Sequence, residues 1–500
     1  MGSVVVVGAG PTGLALAAEL AGAGVACRVL EKRARPTPWS RACGVEPRTL
    51  ELLDLRGGAA ELVDRGLPWA RQPVGDGRAF LDYGRLDTPH PYILIIPQHR
   101  TEEVLEAQAV RAGAEIARGA RVVDMARDDD AVTLTVAGED RTWTERADYV
   151  VGCDGVRSTV RELAGIGFHG HAYEQSLVVA DVRLHRPPDP EVDARITGRG
   201  MVAVFPFGDG LYRLIVLDRD RMAAPADEPV TVAELRDSVV TIFGWDLGVH
   251  DPWWMSRFRC AERQAERYRL GRVLLAGDAA HTHMPSGGQG LQLGVQDAFN
   301  LGWKLAAEVA GWAPPGLLDS YERERWPIAA RMLRRTELAF RYETSSSLPA
   351  RAVRRIGYLL MRFGPLQMPV IRQFAGFTLR YPPPPSAPRH RLVGRRLPDA
   401  RLRADHGVVR LLELFRRRRF VLLDQGAGVE GIASAWADRV DVVRATVLDG
   451  RRWPDVVLFR PDAFVAWAGS RSRLHRLSEA LSSWCGAPSP RATADVGRHP

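Results

Sequence analysis

The hydrophobic pattern is sharpest at the start of the chain. Ser3-Val4-Val5-Val6-Val7 is an unbroken β-branched run, as expected of a strand covered on both faces. Gly8-Ala9-Gly10-Pro11-Thr12-Gly13 follows directly, and residues 14–23 are small and apolar with helical character. Ala26-Cys27-Arg28-Val29-Leu30 then makes a second strand that ends at Glu31. The order predicts a βαβ unit with GxGxxG at its first turn. Beyond residue 70 the pattern loosens. Residues 71–97 and 171–259 are strand-rich, with alternation in Leu177–Val182 and Met201–Phe205. Residues 98–170 return to α/β character, and 265–345 hold a strand, a glycine-rich loop and a long helix.

This interleaving predicts an α/β chain in which a β-sheet substrate domain (α+β) is inserted in pieces into a Rossmann-like cofactor domain. We assign 1–70, 98–170 and 260–345 to the cofactor domain, and 71–97 and 171–259 to the inserted domain. Residues 346–389 form a helical connection ending in a stiff linker, Pro382-Pro383-Pro384-Pro385. A further unit spans 390–500, and no internal repeats are present.

Composition changes this picture little. With 500 residues, 46% hydrophobic and 26% charged, the chain is neither disordered nor a disulfide scaffold. No stretch reaches the roughly 18–20 consecutive apolar residues of a membrane span, and the N-terminus has no basic n-region. The net charge is +8, yet only Lys32 and Lys304 among the 68 basic residues are lysines, leaving 66 arginines. Such a bias is what a GC-rich genome writes, so the basicity is mainly background and no nucleic-acid partner is expected. Arg416-Arg417-Arg418-Arg419 reads as a solvated helix end. The five cysteines are dispersed without a CxxC. That points to reduced thiols in the cytoplasm, with no structural metal.

The first turn carries clear chemistry. Gly8 permits the tight turn, Gly10 lets backbone N–H groups approach a pyrophosphate, and Gly13 lets helix and strand pack closely. Glu31 is placed to accept from a ribose 2′-hydroxyl, which fits FAD and NAD equally. A second match, Gly426-Ala427-Gly428-Val429-Glu430-Gly431, is expected to be an ordinary strand–loop–helix, because Asp424 and Gln425 intervene after the strand. Two other segments bear on the choice of cofactor. Tyr149-Val150-Val151-Gly152-Cys153-Asp154-Gly155 is a strand ending in Asp-Gly, followed by Arg157 and Arg161 on one face of a helix. Arg272–Ala276 is a strand ending in Gly277-Asp278, followed by Ala279-Ala280-His281. Pro285-Ser286-Gly287-Gly288-Gln289-Gly290-Leu291-Gln292 then opens a helix reaching toward Gly311. A helix N-terminus offers unpaired N–H groups and about half a positive charge, which suits the negative charge of reduced flavin.

The three motifs in this order resemble the single-component (class A) FAD-dependent aromatic hydroxylases of the p-hydroxybenzoate hydroxylase fold. The subgroup that tailors polyketides and antibiotics is the nearest in kind. The resemblance covers essentially the whole chain, including Arg48-Thr49-Leu50-Glu51 and Gln296-Asp297-Ala298-Phe299-Asn300. It implies a GR2-type FAD domain and a thioredoxin-like C-terminal domain, matched best at Arg460–Trp467 and lacking CxxC. Carried over residue by residue, the cofactor set is Gly8, Gly10, Pro11, Thr12, Gly13, Glu31, Lys32, Arg41, Gln98, Val122, Asp154, Gly277, Asp278, Pro285, Gly287, Gly290, Leu291 and Gln292. Within it Asp278 would hold a ribityl hydroxyl, and Arg41 and Gln98 would meet the phosphate and ribose region. Val122 would lie near the adenine, and Asp154 and Arg161 would serve both FAD and NADPH. Pro285 and Arg161 are the catalytic candidates. Gln292 departs from the family, which has Asn there.

The implied cycle passes hydride from NADPH (or NADH) to FAD. O₂ then gives a flavin C4a-hydroperoxide, whose distal oxygen goes to an aromatic carbon. Baeyer–Villiger oxidation or epoxidation on the same scaffold is the rival, as is a flavin-binding chain without efficient turnover. His281 and His283 are expected to be structural. Phe205, Phe207 and Arg213 are the substrate-site candidates, Arg213 being ordinarily solvent-facing. The expected partner is a small aromatic molecule, with no stable membrane association and the chain a monomer or homodimer.

Overall fold

The valine run Ser3–Val7 lies at the middle of a six-stranded sheet in the computed structural model, which describes residues 2–39, 42–74, 79–284, 288–345, 347–383 and 390–489. Val4 to Val7 are all buried, as two-sided coverage requires. Ala26–Glu31 and Tyr149–Gly152 pair with this strand in parallel on opposite sides. Val273–Leu275 continues the sheet beyond Tyr149–Gly152, and Glu115–Arg118 beyond Ala26–Glu31. The build-out therefore reverses at Ser3–Val7. In a doubly wound sheet such a reversal opens a crevice at the carboxyl ends of the strands. A three-stranded meander, Arg121–Arg127, Val132–Ala137 and Thr142–Ala147, leads back into Tyr149–Gly152.

The inserted domain is a second six-stranded sheet. Two strands of 17 residues, Phe168–Leu184 and Val249–Ala265, form its antiparallel spine. Helix Val232–Phe243 covers one face, with Leu235, Val239 and Ile242 packed against Val182 and Leu214. The spine strand Val249–Ala265 runs through the division expected at 259–260 and pairs with His281–Thr282, just past the Gly277-Asp278 turn. Segment 71–97 also splits. Among the described residues Arg71–Val74 pairs with Ala79–Asp82 alone, whereas Ile93–Ile95 joins Gly44–Val45 and Leu67–Trp69. Alternation along a sequence reveals a strand but not its partner.

In the C-terminal unit Phe420–Asp424 pairs in parallel with Val440–Val447 and antiparallel with Val456–Phe459. Val465–Gly469 and the helix Leu477–Cys485 follow, the arrangement expected of a thioredoxin-like unit. Leu402, Val421 and Phe459 share one continuous hydrophobic core with Val4–Val7. The unit is thus packed onto the first domain.

Candidate active site

Three turns converge at the carboxyl ends of neighbouring strands. Gly8 follows Ser3–Val7, Asp154 follows Tyr149–Gly152, and Gly277 follows Val273–Leu275. Gly8 has φ +106°, and a Cβ there would lie 2.5 Å from Cys153 O. A Cβ on Gly13 would lie 2.0 Å from Gly8 O, so the helix meets the strand only without a side chain. Around Gly10, by contrast, a Cβ would find nothing within 4 Å. The loop is therefore open on the side where the helix Pro11–Gly22 begins, with Pro11 in its first turn and no acidic residue there. Its N–H groups are available to an anion. Thr12 lies against Gly277, joining the first turn to the third.

Glu31 is buried and already committed. Its Oε2 accepts from Ala9 N at 2.8 Å, and its Oε1 from Arg33 N and Nε at 3.0 and 2.9 Å. Burial opposes its ionisation, but these donors outweigh it and hold the carboxyl below its ordinary range. Lys32 beside it is exposed. Gln98 opens the helix Gln98–Arg111, accepting from Ala42 N at 3.3 Å and donating to Glu102 at 2.8 Å. Val122 is buried in the meander. Arg41, Pro285 and Gly287 lie outside the described residues.

The Asp-Gly turn is built around Asp154. Ser158 Oγ donates to Oδ1 at 2.5 Å and Val160 N to Oδ2 at 3.2 Å, yet burial still pushes the carboxyl up. The following helix is short, Thr159–Leu163, so Arg157 precedes it and does not share its face with Arg161. Arg161 turns inward. It donates to Ala279 O and Val156 O, both at 2.9 Å, and lies 3.9 Å from the Phe168 ring centroid. It thereby ties the Asp-Gly turn to the Gly-Asp turn, with both terminal nitrogens on carbonyls rather than directed at a phosphate.

Asp278 is exposed at the crevice, in the single turn Gly277–Ala279. That turn is held from behind by buried Asp297, whose Oδ2 accepts from Gly277 N at 3.0 Å and lies 2.7 Å from His281 Nε2. Arg325 Nε donates to Oδ1 at 2.6 Å. Burial works against the Asp297 charge, but Arg325 and His281 hold its pKa down. Asp297 and Arg325 were not among the sequence candidates. Asp297 lay inside a matching segment, whereas nothing in the spacing pointed to Arg325. Gly290, Leu291 and Gln292 fall in the first turn of the helix Gln289–Val309, which has no acidic residue there. The Gln292 amide accepts from Glu46 N at 3.2 Å and donates to Gly44 O at 2.9 Å. The side chain at this departure from the family therefore clamps Gly44–Val45 to the loop.

On the inserted sheet Phe207 is buried with Ile95 and Val192, and Phe205, Trp69 and Leu211 pack around them. This cluster joins the two domains. Arg213 is fully buried, not solvent-facing. It makes a two-pronged pair with Asp181 at 2.5 and 2.8 Å, reaches Ala42 O at 3.5 Å, and lies over the rings of Phe207 and Trp254. Its fork is matched internally, so it braces the inserted sheet from within.

A nucleotide crevice fed by three strand ends, with an antiparallel sheet inserted beside it, is the architecture of FAD-dependent hydroxylases of the p-hydroxybenzoate hydroxylase fold. Two family models match the chain, "FAD binding domain" over residues 1–336 and "aromatic-ring hydroxylase, C-terminal" over residues 390–488. The chain belongs to the FAD-dependent aromatic-ring hydroxylases, flavoprotein monooxygenases that use NAD(P)H and O₂ as co-substrates. It is 41% identical to a 12-dehydrotetracycline 5-monooxygenase/anhydrotetracycline 6-monooxygenase of Streptomyces rimosus subsp. rimosus, over 97% of this chain and 99% of that one. It is 42% identical to a rifampicin monooxygenase of Streptomyces venezuelae, with the same coverage. The solved anhydrotetracycline hydroxylase OxyS from Streptomyces rimosus superposes with a TM-score of 0.87 at 40% identity, covering 98% of this chain and 100% of that one. Among the described residues no helix is long and apolar enough to cross a membrane, and no group of three or more His, Cys, Asp or Glu side chains could hold a metal ion.

Proposed function

We propose that this hydroxylase acts on a polycyclic phenol of the polyketide or antibiotic class, and that the residues around the crevice hold FAD for that reaction. The observation that carries the assignment is the convergence of three turns at adjacent strand ends, beside an aromatic-lined junction with the inserted sheet. The pyrophosphate rests on the open loop at Gly10 and the N-terminus of Pro11–Gly22. Asp278 receives a ribityl hydroxyl, and the opening turn of Gln289–Val309 faces the flavin ring. Its N–H groups stabilise negative charge on the ring's pyrimidine side. When bound, FAD supplies hydride acceptance and oxygen activation. The chain orients the substrate ring, and the packed junction around Phe205 and Phe207 keeps water from the reacting atoms. Arg161 and Asp297 act indirectly, by fixing the turns that carry Asp154 and Asp278. We place this work in the cytoplasm, by a monomer or homodimer. The unpaired, buried Cys27, Cys153 and Cys485 support a reducing compartment.

The test is turnover. Purified protein should be yellow, and a polycyclic phenol should accelerate NADPH consumption and gain one oxygen atom derived from O₂. A colourless protein that cannot be reconstituted with FAD would refute the reading, and a lactone product would select ring-expanding oxygenation instead.

A further inference from the structure

Around the opening turn of the helix Gln289–Val309, His283 has one ring nitrogen satisfied and one not. Nδ1 lies 2.5 Å from Met284 O, and a carbonyl can only accept, so Nδ1 carries the hydrogen. Nε2 is buried and, among the described residues, has no hydrogen-bond partner. Burial, reinforced by His281, brings the imidazole pKa down to about 4 against the hydrogen bond to Met284, so the ring is neutral and Nε2 presents a bare lone pair.

Its position gives that lone pair meaning. A Cβ built on Gly290 would lie 3.4 Å from His283 Nε2 and 3.9 Å from Asp278 Oδ1. The imidazole and the carboxylate thus flank the same glycine, in the turn where no side chain intervenes. Asp278 in its ionised form only accepts, so it cannot supply the donor that Nε2 lacks. A buried acceptor left without a donor costs free energy, and a folded protein keeps one where something else satisfies it.

We propose that His283 is a second acceptor for the cofactor. With Asp278 it receives hydrogen bonds from neighbouring hydroxyls of the FAD ribityl chain, a positioning role that rests on the assignment of Asp278 to that chain. His283 touches none of the reacting atoms in this scheme. Its contribution is to hold the chain that sets the flavin ring against the helix terminus.

The experiment titrates apoprotein with FAD by flavin fluorescence and separately melts the apoprotein, for wild type, His283→Phe, His283→Gln and Asp278→Ala. His283→Phe should weaken FAD about tenfold, the loss of one buried hydrogen bond. It should leave the apoprotein melting temperature unchanged or raised, because the orphaned nitrogen is gone. His283→Gln restores an acceptor oxygen and should stay within about threefold of wild type. If His283→Phe binds FAD like wild type while Asp278→Ala does not, the inference fails and the site stands. If His283→Phe lowers the apoprotein melting temperature and His283→Gln does not restore FAD affinity, His283 is only a packing residue and the inference fails again. Wild-type FAD affinity in Asp278→Ala, which has no acceptor left, would instead overturn the ribityl assignment itself.

Discussion

Glu46, at the N-cap of the helix Pro47–Asp54, shows how much one side chain can hide from a sequence. It is buried, its Oε2 has no partner among the described residues, and the phenol of Tyr83 is bonded to its carboxyl. Burial pushes its pKa up to about 8, only partly opposed by Tyr83. The native state therefore holds a proton that the unfolded chain releases at ordinary carboxylate pH. The stability associated with this group is fully present below the unfolded value of about 4.5 and declines as pH rises toward 8. Glu46→Gln cannot ionise, so its stability relative to wild type should increase between pH 5 and pH 8.5, by a few kcal/mol at most at ~1.4 kcal/mol per pKa unit. Urea unfolding of both proteins at the two pH values measures this, and an equal difference at both would refute it. The turns at Gly8–Gly13 and Gly277-Asp278 were legible because their conformation is tied to fixed spacing within a local motif. The inward turn of Arg161, the burial of Arg213 against Asp181 and the Arg325–Asp297 pair were not, since each depends on a partner set by the tertiary fold.

At the scale of elements, two loops with the same GxGxxG spelling have opposite fates. The loop at Gly8–Gly13 leaves its helix N-terminus open, whereas the loop after Phe420–Asp424 is filled from within. Asp424 is fully buried, and its carboxylate accepts from Ala427 N at 2.6 Å, Gly428 N at 3.0 Å and Val429 N at 3.3 Å. A resident anion already occupies the place a phosphate would take, and the helix that follows, Glu430–Ala433, is only four residues long. The acid before the glycines was the visible sign: Asp424 ends the strand, Gln425 alone separates it from Gly426, and the Asp424 carboxylate caps the loop. Asp424→Ala should therefore destabilise the protein by roughly 2–4 kcal/mol, since charge-assisted bonds to three N–H groups are lost. FAD affinity of the folded fraction should not change. Combined thermal unfolding and FAD titration decide the matter, and a specific loss of FAD binding without loss of stability would show that the second loop has a cofactor role after all.

For the whole molecule, the arginine excess takes on a structural meaning that composition did not suggest. Arg48, Arg213, Arg325 and Arg460 are among the largest fully buried side chains, and each is paired with a carboxylate. Arg460, from the C-terminal unit, donates to both oxygens of Glu324 at 2.8 and 3.0 Å and to Asp462 at 3.0 Å. Glu324 also receives Lys304 at 2.8 Å and Asn300 at 2.7 Å, and despite burial Arg460 and Lys304 hold its pKa at about 2. The next residue on the helix Ser320–Thr344, Arg325, grips Asp297, which in turn holds Gly277 N at the turn bearing Asp278. A path of buried charge thus runs from the C-terminal unit to the turn bearing Asp278, although that unit has no CxxC and contributes no candidate site residue. Arg460→Met leaves two buried carboxylates undercompensated and should cost about 3–5 kcal/mol. Adding Glu324→Gln should recover part of that loss, because one stranded charge is removed. If the path matters to the site, Arg460→Met will also release FAD more readily at temperatures where its fold is intact, and the double variant will retain FAD better than the single one. Flavin release followed against far-ultraviolet circular dichroism separates these effects. Unfolding without prior flavin loss in Arg460→Met would limit the C-terminal unit to ordinary packing.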